Sequence, residues 1–166
     1  MTTDDLLNDL LKKEGGYVDH PNDKGGATNW GVTATTLGSW RHLNRQATRA
    51  EVKALTLTEA RAIYVAWYVT PFEKIPFDEV KAQLVDWGAN AGPATAIKGL
   101  QRVLGVEVDG VIGPRTLAAL VIYPWRVTNN ALVGARMAHY VGIVEDDPTQ
   151  KVFFWGWSRR AISFFV

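Results

Sequence analysis

The chain contains no cysteine, which excludes disulfide frameworks, thiolate zinc sites, iron–sulfur clusters and thiol nucleophiles. Histidine is scarce too: His20, His42 and His139 are scattered, with no His-Glu-x-x-His pattern. The stretch from Asp19 to Gly25 superficially follows a calcium loop. It fails because Pro21 stands where a ligand is needed and the glycine falls one place late. Neither a metal nor a cofactor is expected, since a P-loop and a dinucleotide fingerprint are also missing from the sequence. Serine is limited to Ser39, Ser158 and Ser163, none of them in a Gly-x-Ser-x-Gly elbow.

An excess of one charge is also lacking. Lys and Arg number 18 against 17 Asp and Glu, a net charge of +1, so a dedicated nucleic-acid binder is not expected. No apolar run approaches the roughly 20 residues of a membrane span, and no stable membrane association is expected. The start, Met1-Thr2-Thr3-Asp4-Asp5, is acidic and polar, unlike the basic opening of a signal peptide. The expectation is a cytoplasmic product that needs help from elsewhere for any export.

What remains is a chain of 166 residues, 47% hydrophobic and 21% charged, the size of one domain or two small lobes sharing a core. The charge is uneven: residues 1–90 carry 10 basic and 12 acidic groups, residues 91–166 carry 8 and 5. Seven tryptophans stand out, and aromatics at 11% exceed what a small core needs. Some are expected to face a ligand.

The patterning is mostly helical. Leu6, Leu7, Leu10 and Leu11 recur at helix spacing behind Thr3 and Asp4, and Gly15-Gly16 stop the run. Residues 17–33 are rich in turn formers and predict an irregular β-hairpin. Leu37, Trp40 and Leu43 predict a second helix. Thr48 with Glu51, and Thr56 with Glu59, have the spacing of capping boxes. Ala60, Ile63, Tyr64, Trp67 and Tyr68 form one stripe that ends before Pro71. Further helices are predicted from Phe77 to Gly92-Pro93, from Ala94 to Leu104 with Gly105 closing it, and from Pro114. A longer one runs from about Trp125 to Val144, and a last one follows Asp147-Pro148. Trp40, Trp67 and Trp87 lie on apolar stripes and are expected in the core. The run from Phe153 to Trp157 either lines a cleft or, as we favour, packs the last helix onto the body.

Glu14 is the most informative residue. It lies beside the apolar stripe of its helix and at the C-terminal end, where the macrodipole disfavours a carboxylate. Both effects push a carboxyl toward its protonated form, which a general acid at neutral pH needs. The two glycines that follow leave room for a substrate. By position alone, however, a solvated glutamate at a frayed helix end accounts for it better. Asp19 and Asp23 are candidates for the second carboxylate of a glycosidase, and ordinary turn chemistry explains them equally well. Thr28 and Asn29 can orient a water or an acetamido group, or simply face solvent. Tyr17 and Trp30 flank these residues and are suited to stacking on sugar rings.

Glu14-Gly15-Gly16-Tyr17, then Pro21 to Thr28 and Trp30-Gly31-Val32-Thr33, resemble the start of glycoside hydrolase family 108, phage endolysins and related bacterial muramidases. Asp86-Trp87-Gly88-Ala89-Asn90-Ala91-Gly92 is similar to the helix that ends their catalytic region. Leu100 to Gly105 and Asp109 to Leu117 resemble the accompanying peptidoglycan-binding region, and Gly156 to Arg160 also fit. The resemblance implies a mainly α (α+β), lysozyme-like fold: a helical bundle with a small β-hairpin beside the active cleft. It implies a catalytic region over 1–92 and a peptidoglycan-binding region over 93–166 packed on it.

The implied activity is hydrolysis of the β-1,4 bond between N-acetylmuramic acid and N-acetylglucosamine. Glu14 falls on the family's catalytic glutamate, which displaces the solvated-end reading. The resemblance further implies Asp23 and Thr28 as catalytic partners and Tyr17, Asn29, Trp30, Asp86 and Asn90 as substrate-binding. Phage-type lysozymes space Glu, Asp and Thr in a fixed way. Glu14 and Asp23 keep the first interval, but Asn29 occupies the threonine position and Thr28 comes one earlier. The implied partner is bacterial peptidoglycan, reached by a monomer from the host cytoplasm through a holin or an export system. The alternatives are a lytic transglycosylase and an inactive peptidoglycan-binding or secretion-associated protein.

Overall fold

The computed structural model describes residues 3–19 and 27–166, without the side chains of Thr3, Leu6, Asp9, Lys13 and Glu14. Among the described residues the chain is mainly helical, with one two-stranded antiparallel sheet. It divides into two compact units, Asp4–Trp67 and Tyr68–Val166, the latter together with Thr3.

In the first unit, α1 (Thr3–Glu14) carries two acidic residues in its first turn, where the helix dipole favours them. It ends where Gly15 takes φ +71°, a left-handed conformation that only glycine adopts without cost. Leu7, Leu10 and Leu11 are buried as their spacing predicts. The hairpin consists of β1 (Thr28–Asn29) and β2 (Val32–Thr33), with Thr28 opposite Thr33 and Asn29 opposite Val32. An isolated bridge between Val18 and Thr28 extends it. Thr33 then caps α2 (Ala34–Trp40) by accepting from the Thr36 amide.

The two predicted capping boxes come out differently. At α3 (Arg49–Lys53) the box is complete: Thr48 accepts from the Glu51 amide, and the Glu51 carboxylate accepts from the Thr48 amide. The Arg45 guanidinium on the same carboxylate, with the Thr48 bonds, holds Glu51 at a pKa of about 2. At α4 (Leu57–Tyr64) only the Thr56 half forms. The Glu59 carboxylate instead receives a two-pronged bond from Arg41, at 2.8 and 2.7 Å. A charged fork offers more than one backbone amide, so the tertiary partner wins.

The stripe predicted to run through Tyr68 also breaks. Ala60, Ile63 and Tyr64 are buried, but the helix widens into a π turn over Val65–Val69 and tightens into a 3₁₀ turn over Thr70–Phe72. Wider winding rotates Trp67 and Tyr68 out of line, and both are only half-buried. Pro71, lacking an N–H, cannot continue an α ladder.

The second unit is built on α5 (Asp78–Ala91), in which residues 82–88 are all buried. A helix enclosed on most sides needs neighbours all round. They are α6 (Pro93–Leu104) and α8 (Trp125–Asp146), which also pack on each other. Gly92, at φ +86°, makes the sharp turn from α5 into α6, and Gly105 closes α6 in the left-handed conformation. Behind it come α7 (Pro114–Ile122), and after α8 a 3₁₀ turn and α9 (Lys151–Ile162), which packs on α8.

Of the seven tryptophans only Trp87 is fully buried. Trp40 and Trp67, expected in the core, are half-buried. Trp87 packs against Gly99, where a β-carbon would overlap its ring. Gly99→Ala must therefore push a large, enclosed ring aside, and the expected cost is about 1–3 kcal/mol. A chemical-denaturation midpoint unchanged from wild type would show that the ring has room to move. The aromatic tail also departs from expectation: Phe154 and Trp157 are half-buried, whereas Phe153 and Trp155 stand exposed.

Candidate functional site

Glu14 is the last residue of α1, as its sequence position predicts. Among the described residues, a β-carbon at Gly15 or Gly16 would meet nothing within 4 Å. The Glu14 carboxyl and the whole of Asp23 lie outside the described residues.

Thr28 is bridged to Val18, the neighbour of Tyr17, by two backbone bonds of 2.8 Å each. Tyr17 is half-buried, and its hydroxyl donates to Asp19 at 3.1 Å. Burial first, and then the Asp19 carboxylate, raise the Tyr17 phenol above its usual range. Asp19 is paired with Arg49 at 3.3 Å, and the Lys53 ammonium lies 5.9 Å from the Tyr17 ring centre. Sequence reasoning missed these two cations. Their spacing, four apart on the short helix α3, was the available signal. Asp19 is thereby held by a phenol and a guanidinium.

Asn29 does not face solvent. It is buried, and its amide nitrogen donates to the carbonyls of Val52, Lys53 and Leu55 at 2.9, 3.2 and 3.3 Å. These carbonyls lie at the end of α3, where a helix leaves acceptors unsatisfied. Asn29 thus ties the hairpin to α3. Asn29→Ala leaves several of these acceptors without their donor and is expected to cost about 1–3 kcal/mol. A thermal melt of the variant measures this directly.

Trp30 and Gly31 form the two-residue hairpin loop, with φ of +53° and +73°. Such turns require positive φ at both central positions. Glycine meets this freely, but for a bulky residue it stores strain that the surroundings must hold. Trp30 is half-buried and lines a cavity of about 310 Å³ with Asn8, Leu11, Lys12, Leu57 and Arg61. Arg61 is itself fixed by Asn8 at 2.6 Å and Asp4 at 2.7 Å. An aromatic face beside amide and guanidinium groups matches the amphipathic surface of a sugar ring.

Asp86 and Asn90 belong to the other unit, and the burial of Asp86 corrects the expectation that it meets substrate. Asp86 is 2% exposed. Its carboxylate receives the buried Arg136 at 2.5 Å and Arg160 at 2.7 Å, and Arg136 also donates to the Tyr140 hydroxyl at 2.6 Å. A carboxylate with two guanidinium partners inside the protein is an internal lock across α5, α8 and α9. Asn90 is exposed, but its amide donates back along α5 to the Asp86 carbonyl at 2.7 Å.

The Asp109-Gly110 motif also has a structural basis. Gln101, buried on α6, donates to Asp109 at 2.6 Å and to the Val111 carbonyl at 3.0 Å, and accepts from the Gly110 amide. One side chain pins the loop that leads to Pro114. The Gln101 bond and then the Val111 amide lower the Asp109 carboxyl below its usual range. Among the described residues no group of His, Asp and Glu is arranged to hold a metal ion.

With this geometry described, comparison with known proteins is informative. Residues 7–92 match the family model Glycosyl hydrolase 108, and residues 95–162 match the model Predicted Peptidoglycan domain. The structure of Brucella abortus SagA is similar to this chain at 39% identity and a TM-score of 0.82. The match covers 98% of this chain and 90% of that one. No curated protein matches. The fold and the family matches are those of a lysozyme-like, peptidoglycan-active glycoside hydrolase. The chain belongs to the glycosyl hydrolase 108 family. Its first family match runs past the packing boundary at Trp67 and takes in α5, which packs with the second unit.

Proposed function

We propose that this chain is an endolysin-type N-acetylmuramidase that hydrolyses the β-1,4 bond between N-acetylmuramic acid and N-acetylglucosamine in peptidoglycan. In this reading residues 1–92 supply the catalytic region and 93–166 the wall-binding region. The observation that carries it is the end of α1: Glu14 closes the helix, and two glycines follow with no described residue within 4 Å of where a β-carbon would stand.

Glu14 acts as the general acid, protonating the glycosidic oxygen as positive charge develops on the sugar ring. A second group must then guide the attacking water. Asp23 takes that role with Thr28. The burial of Asn29, with its amide committed to three carbonyls, favours Thr28 over Asn29 as the water-holding partner. Tyr17 and Trp30 contact the glycan. Asp86 supports the fold instead, because its carboxylate is enclosed by two arginines.

Mass spectrometry of muropeptides released from purified walls tests this. Hydrolysis yields reducing N-acetylmuramic acid ends that carry oxygen from labelled water. Anhydro-muramic ends would identify a lytic transglycosylase, and walls bound without any release would identify a binding protein.

A further inference from the structure

The last helix has two unlike faces. Ser158 and Ala161 are buried, and Phe154 and Trp157 are half-buried. Trp157 meets Tyr140 of α8, ring centres 5.3 Å apart. The other face is apolar as well. Val152 is 77% exposed and Trp155 71%, and Ile162 and Val166 are also exposed. Val152, Trp155, Arg159 and Ile162 recur at spacings of three and four, so along the helix they form one stripe. Phe153 flanks it, stacked on Trp157, and Phe165 and Val166 are exposed past the helix end, where the Val166 backbone is tied to the Asn130 side chain.

The charge of this segment is one-sided. From Lys151 to Val166 there are three cations and no Asp or Glu. Arg160 turns inward to Asp86, which leaves Lys151 and Arg159 exposed on the outside. The acidic residues Glu145, Asp146 and Asp147 all precede the helix, and Asp147 is occupied with Thr149 and Gln150.

Three occupants would cover an apolar stripe, and the chemistry separates them. A second copy lying antiparallel would centre on Arg159 and set it against its own image, with no acidic group on the stripe to offset the repulsion. A glycan strand needs a row of hydrogen-bonding groups, and apart from Arg159 and Ser163 the stripe offers aliphatic and aromatic carbon. An anionic bilayer surface matches both properties. Valine, isoleucine and phenylalanine enter the acyl boundary, tryptophan sits at the headgroup level, and the cations meet lipid phosphates. Among the described residues no helix is long and apolar enough to cross a membrane. Such a helix would lie in the plane of the surface.

We propose that the outer face of α9 is a docking surface for anionic lipid bilayers, with Trp155 as its apolar anchor and Arg159 as its electrostatic contact. The association is peripheral and reversible. It does not depend on the hydrolase reading.

Co-sedimentation of the full chain with vesicles tests it, using phosphatidylcholine alone or mixed with phosphatidylglycerol. The chain is expected to bind the mixed vesicles and to be released as salt rises. Trp155→Ser should weaken binding about tenfold, the worth of one well-buried large side chain. Arg159→Ser should weaken it about fivefold at low salt, with the difference closing at high salt. Both side chains are exposed, and circular dichroism verifies that the variants fold. Equal binding to the two vesicle types, or variants that bind like wild type, would overturn the proposal. A dimer in sedimentation equilibrium that Trp155→Ser abolishes would assign the stripe to a second copy. Loss of binding to purified peptidoglycan in the same variant would assign it to the wall. The vesicle assay contains no peptidoglycan, so its failure leaves the enzymatic reading intact.

Discussion

Glu14→Gln is expected to lower the release of new reducing ends from purified walls by about 10²–10⁴-fold, the usual contribution of a positioned general acid. The substitution keeps the size and most of the hydrogen bonding of the side chain and removes only the titratable proton. At the last position of α1 it alters no helix-internal residue, so the thermal midpoint should stay close to wild type. A Glu14→Gln protein that clears wall suspensions at the wild-type rate would remove Glu14 from the reaction. A protein that loses both activity and its melting transition would show a structural role instead.

The second large effect concerns Asp86. Asp86→Ala removes the only carboxylate among the described residues that faces Arg136, which is fully buried, and takes the same partner from Arg160. Breaking a buried ion pair from one side costs about 3–5 kcal/mol, because the remaining charge stays enclosed without compensation. In a chain of this size that lowers the melting midpoint by roughly 6–20 °C. The double variant Asp86→Leu with Arg136→Met should recover much of the loss, since matched apolar groups need no partner. If Asp86→Ala melts within a degree or two of wild type, water or a rearranged side chain already satisfies Arg136. These melts also separate a structural Asp86 from a substrate-binding one. A ligand residue would alter wall hydrolysis while leaving the melt in place.

Much of the fold was legible because its signals are local. The start and stop of α1, the glycine turns at Gly92 and Gly105, the capping box at Thr48 and the proline start of α7 each depend on residues a few positions apart. Backbone sterics and unsatisfied helix-end groups act at that range. The turn predicted over Pro21 to Gly26 lies outside the described residues, and the tight turn at Trp30-Gly31 was not singled out. Glu59 was not legible: its capping partner lay three residues away, but Arg41 supplied a charged fork from 18 residues back. The π turn before Pro71 was equally invisible, because a stripe on paper assumes one helical pitch throughout.

The candidate site divides in the same way. Glu14 was singled out at the end of its helix, and Tyr17 and Trp30 from residue type, while the resemblance gave Glu14 its role. Asn29 and Asp86 were expected on the resemblance to bind substrate, and both turn inward. Arg49, Lys53 and Arg61 were not singled out, since nothing beside them in the sequence names their partners.

What the sequence by itself determined is the set of chemistries this chain can perform. The absence of cysteine, of clustered histidine and of a serine elbow left carboxylates, and the residues around Glu14 placed the chain in its family. The tertiary structure decided which polar residues are available for that chemistry and which are used up in holding the fold. Asn29 meets carbonyls up to 26 residues away, and Asp86 meets arginines 50 and 74 residues away. Such pairings arise only when packing brings distant helices together, and a buried charge or amide must then take its partner from whatever the core provides.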